Sequence, residues 1–140
     1  MRVSRALRIM GLATIVAVGA SAAVWAQAKT DEDYDKLMKG VGAANGAMRK
    51  AADPDAVAAE SKKLEALFKE AAAFWTSRSN KEAADWATTA MSQAAAISKA
   101  AGAKNVEEIA AAQKQLGGTC QTCHAKYREK TETGYAIKKG

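Results

Sequence analysis

The chain has 140 residues, 21 basic against 15 acidic side chains, a formal charge of +6, one proline and one histidine. Three of the basic residues, Arg2, Arg5 and Arg8, and no acidic one lie within residues 1–28, so residues 29–140 hold 18 basic against 15 acidic groups, about +3. A charge so mild and dispersed gives no case for nucleic-acid binding and leaves at most a bias toward acidic protein partners.

The N-terminus reads as a secretory signal. Arg2, Arg5 and Arg8 form a positive region, an apolar run follows from Ile9 to Ala23, and Ala26-Gln27-Ala28 offers a cleavage site. The run is short of the ~20 apolar residues that span a bilayer. An uncleaved anchor is the alternative. Cleavage after Ala28 leaves a single domain, residues 29–140, with no stable membrane association.

Beyond the signal the pattern is helical throughout, with no convincing strand alternation. The first helix is expected over about 30–50, with Asp31, Glu32 and Asp33 complementing its N-terminal dipole. Tyr34, Leu37, Met38, Val41, Ala44, Asn45 and Met48 recur at helical spacing along it. Gly40, Gly42 and Gly46 lower its propensity by roughly 1 kcal/mol each, which points either to a close neighbour or to fraying.

Asp53-Pro54 starts a second helix, with Asp as N-cap and Pro in the first turn. It runs to about Trp75 with Val57, Leu64, Leu67, Phe68 and Ala71 on one stripe. A connection over 76–79 leads to a third helix carrying Trp86, Ala90, Ala94, Ile97 and Ala101 inward. Gly102 is placed to end it. Asn105 caps a fourth helix, with Glu108 as capping-box partner. That helix lines up Val106, Ile109, Ala112, Leu116, Cys120, Cys123 and Tyr127, and a polar tail follows from about Thr131. Four helices with short connections predict an all-α fold, an antiparallel up-down-up-down four-helix bundle. Trp75 and Trp86 are assigned to packing.

The fourth helix carries Cys120-Gln121-Thr122-Cys123-His124, and both cysteines and the only histidine of the chain fall inside it. C-x-x-C-H is the attachment pattern of c-type haem. Two thiols three residues apart share a helix face, where each can add to one vinyl group of a single porphyrin. The next residue offers an imidazole to the iron. A disulfide redox pair would sit near a βαβ pattern, which is missing. A structural zinc site needs about four ligands, more than this Cys/His set supplies. Alanine dominates residues 29–140, so an apolar cofactor would add core that the side chains lack.

With one histidine, bis-His ligation within the chain is excluded, and a methionine is the usual sixth ligand. Signal removal leaves Met38, Met48 and Met91. In an antiparallel bundle Met38 lies level with His124, Met48 about 15 Å further along its helix, and Met91 about 6 Å off level at 1.5 Å per residue. Met38 is therefore the expected ligand, although most helical methionines simply fill core.

The stretch from Gly117 to Arg128, read as G-x-x-C-x-x-C-H-x-x-[YF]-[RK], resembles the cytochrome c′ family of four-helix-bundle c-type cytochromes. The resemblance implies thioether attachment at Cys120 and Cys123, His124 as proximal ligand, and Arg128 as a basic group beside the proximal haem face. Leu37-Met38-Lys39 is similar to the low-spin subgroup, in which a methionine at this point is the sixth ligand. High-spin members leave the iron open and bind NO or CO. The short first and second connections depart from many members. The expectation is a periplasmic monohaem cytochrome that carries one electron at a His124/Met38-ligated iron, as a monomer or homodimer serving redox partner proteins. The alternative is a high-spin protein binding NO or CO. A haem enzyme such as a peroxidase would want a distal acid–base group such as a second histidine.

Overall fold

The computed structural model describes residues 29–139, and the expected signal segment lies outside the described residues. Four helices make up most of it: α1 (Asp31–Lys50), α2 (Pro54–Ser77), α3 (Lys81–Gly102) and α4 (Val106–Tyr127). Each start is set by a local hydrogen bond that satisfies an orphan backbone N–H. Thr30 and Asp33 form a reciprocal capping box on α1, and Asp53 Oδ1 accepts from Ala56 N–H at 2.9 Å on α2. Asn80 and Asn105 accept from Ala83 and Glu108 N–H on α3 and α4. On α4 only this half of the expected capping box forms.

The turns between the helices are tight because two ordinary residues accept left-handed backbone. Ser79 has φ 58° and Lys104 φ 54°. Gly102, expected to end α3, is instead its last helical residue. Lys104 takes the left-handed position, with its N–H donating to Ala101 O at 2.9 Å.

Close packing runs from α1 to α2, α2 to α3 and α3 to α4, the neighbour order of a four-helix bundle with short connections. The main core gathers Met48, Leu64, Phe68, Ile97 and Leu116 with many alanines of α3. Alanine on that face lets α2 and α3 approach closely. Ser61, also fully buried, donates its hydroxyl to Val57 O at 2.7 Å and lies 3.3 Å from Met48 Sδ. Val106 was expected inward but is 70% exposed, because it sits on the first turn of α4 beyond the end of the core. A Cβ built on Gly40 would meet Leu67 at ordinary contact distance, and one on Gly42 or Gly46 would meet open space. Close approach therefore accounts for at most one of the three glycines.

The all-α expectation needs one correction. In place of a polar tail, Arg128–Thr131 (β1) and Gly134–Ile137 (β2) form an antiparallel hairpin. Its residues are too polar to show a strand pattern, and its support is tertiary. Ile137, like Tyr34 and Tyr127, packs against the Phe74–Trp75 cluster at the bundle end, and Lys138 N–H donates to Tyr127 O at 2.9 Å. Gly134, at φ 152°, occupies backbone that other residues rarely adopt.

Candidate functional site

Between α1 and α4, which lack the close packing of the other neighbours, lies a narrow cavity of about 40 Å³. Every helix lines it. α1 contributes Tyr34, Met38 and Val41, and α4 contributes Thr119, Cys120, Cys123 and His124. Phe68, Ala71 and Trp75 of α2 and Trp86, Ala87 and Ala90 of α3 form the remaining wall. Two thiols, an imidazole and a thioether thus converge on one apolar space.

The three methionines separate clearly. Met38 is partly buried and lines the cavity. Met48 is 1% exposed, inside the main core beside the Ser61 hydroxyl. Met91 packs against the same core from its edge, and neither it nor Met48 lines the cavity.

Burial governs the protonation of the polar groups. It pushes the thiols of Cys120 and Cys123 above their ordinary pKa, with the Arg49 charge partly offsetting this at Cys120. Both are free thiols, held in the protonated form at neutral pH. His124 is pushed below the ordinary histidine value, by burial first and by the Arg128 charge second. Its imidazole is therefore neutral at pH 7 and keeps one nitrogen lone pair available for a metal. Among the described residues no three His, Cys, Asp or Glu side chains cluster as a metal-binding set. A zinc site would thus lack ligands.

Two groups of contacts hold the cavity end together, and neither was foreseen from the sequence. Trp75 Nε1–H donates to Tyr34 Oη at 2.9 Å, and Tyr34 stacks on Phe74 with ring centroids 4.3 Å apart. Burial pushes the Tyr34 phenol up to about 12, so it stays protonated. Glu82, at the start of α3, accepts from Lys126 Nζ and from Tyr127 Oη at 2.8 Å, tying down the last turn of α4. Those hydrogen bonds lower the Glu82 pKa. The helical spacing of Tyr34 and Trp75 hinted at burial, but nothing local paired them across 41 residues.

Arg128 is not brought into the cavity. It caps α4, begins β1 and places its guanidinium 4.1 Å above the Tyr135 ring, beside His124 in a separate outer groove.

No protein-family model, no curated protein and no solved structure matches the chain.

Proposed function

We propose that the protein is an exported c-type cytochrome that carries single electrons, with haem attached at Cys120 and Cys123 and its iron held by His124 and Met38. One observation carries the reading: the cysteines and histidine of C-x-x-C-H share an apolar cavity with Met38 of α1. The donor set suits the group. Thiols kept protonated can add across vinyl groups, a neutral imidazole can donate its lone pair, and a thioether favours reduced iron.

The bound group would supply reversible one-electron iron chemistry. The chain's own residues do the rest. Phe68, Val41, Ala87 and Ala90 exclude water from the site, which raises the energetic cost of unbalanced charge there. Tyr34 and Trp75 satisfy each other's polar atoms, so the aromatic wall presents little unpaired polarity. Glu82, gripping Lys126 and Tyr127, steadies the turn that carries His124.

At about 40 Å³ the cavity is far smaller than the roughly 150 Å³ space that admits a benzene. A porphyrin needs more room than this, and α1 and α4 are the neighbours without close packing. The resemblance to cytochromes c′ supports the same assignment through residues 117–128. Export to the periplasm is proposed from Arg2, Arg5, Arg8, the apolar run and Ala26-Gln27-Ala28.

The test is the visible spectrum of the reduced protein with and without CO, together with the mass of the intact chain. Sharp low-spin bands indifferent to CO, on a chain heavier by one haem, are expected. Prompt CO binding by a high-spin iron would shift the reading to gas binding, and a chain of unmodified mass would overturn it.

A further inference from the structure

Of the cavity-lining side chains, His124 alone also borders a second, open groove, of about 380 Å³. Gln121, His124 and Ala125 of α4 form one wall; Arg128 and Lys130 of β1 and Tyr135 of β2 form the other. The hairpin register explains this wall. Lys130 pairs with Tyr135 and Arg128 with Ile137, so these four residues share one face. Ile137 anchors that face on the bundle end, leaving the other three along α4.

The groove is cationic without compensation. No carboxylate lines it, and among the described residues neither Arg128 nor Lys130 takes part in an ion pair, whereas Lys36, Lys81 and Lys126 do. Arg128 is stacked on Tyr135, which limits the freedom of its guanidinium and leaves its edge for a carboxylate. Tyr135 is 55% exposed, one of two large apolar side chains so placed among the described residues. A stacked guanidinium and a lysine beside an exposed aromatic match an acidic polypeptide surface better than a small metabolite, for which the groove has no enclosing wall.

We propose that this groove docks a carboxylate-rich segment of a redox partner protein, with Arg128 and Lys130 receiving carboxylates and Tyr135 supplying the apolar contact. The proposal rests on the electron-carrier reading above. It adds the surface through which that function is served. A partner seated here lies against His124, the side chain that reaches from groove to cavity, and charge steering speeds a brief encounter more than it tightens it.

The experiment titrates the isotope-labelled protein, as purified with its cofactor, with a hexaglutamate peptide while amide NMR shifts are followed. Shifts are expected at Gln121, Ala125, Lys130 and Tyr135, fading as salt shortens the screening length from about 10 Å at 0.1 M to about 3 Å at 1 M. Arg128→Glu/Lys130→Glu should weaken binding about tenfold or more. Lys62→Glu/Lys114→Glu, which changes net charge equally at exposed sites elsewhere, should leave it within about twofold. Equal weakening by both pairs, or shifts centred away from α4 and the hairpin, overturns the groove. The visible spectrum of the same samples keeps the two readings apart. Haem with no peptide response at the groove defeats the docking site alone. A peptide response at the groove in a protein without haem keeps the acidic docking site and defeats the electron carrier.

Discussion

Truncating Met38 and Met48 in turn separates ligand from core. Met48 is 1% exposed and surrounded by the main core, so Met48→Ala leaves a cavity and should cost about 3 kcal/mol. For a chain of this length that lowers the melting temperature by about 12 °C. On the proposed haem reading the iron should keep a low-spin spectrum, because Met48 does not line the cavity that holds His124. Met38 is only partly buried, so its packing loss is smaller, roughly 1–2 kcal/mol. Met38→Ala should nevertheless convert the reduced iron to a high-spin form that binds CO within mixing time. The assay is a visible spectrum of each reduced variant before and after CO, with a thermal melt followed by circular dichroism. A Met48→Ala protein that turns high-spin while Met38→Ala keeps the wild-type spectrum would refute the placement of Met38.

Three further outcomes follow from the geometry. The chain without haem should lack a cooperative thermal transition, since alanine supplies so much of its core; a sharp calorimetric peak would contradict this. Trp75→Phe and Tyr34→Phe should each cost about 1–3 kcal/mol by orphaning a buried polar atom. The double variant should cost less than their sum, which urea unfolding can measure, and strict additivity would mean that the pair is uncoupled. The lowered pKa of Glu82 makes its contribution complete above the ordinary carboxylate value near 4.5. That contribution disappears as pH falls below 4.5 and through the lower folded-state value, so Glu82→Gln should flatten the acid side of the melting curve there.

The helix starts were readable because they are local. Asp53-Pro54 and Asn105 each place a side-chain acceptor within three residues of an orphan N–H. The apolar periodicity likewise marked Leu37, Val41, Leu64, Phe68 and Ile97, which are all buried. It missed Phe74 and Ser61, the first beside a chosen tryptophan and the second polar. It overreached at Val106, where periodicity continues past the point at which there is anything to pack against. The left-handed positions fell to Ser79 and Lys104 because the geometry of the turns, rather than the intrinsic preference of glycine, decided them.

By itself the sequence determined the four helices and set out the C-x-x-C-H pattern, since caps, period and motif spacing act over a few residues. It also limited the candidates for a methionine ligand in the proposed site to three. Only the tertiary structure decided which one shares a cavity with His124, because Met38 and His124 line that cavity from positions 86 residues apart in the chain. Tertiary packing also made a hairpin of residues 128–137. Strands so polar gain their stability from Ile137 on the aromatic cluster, a contact that no local pattern encodes.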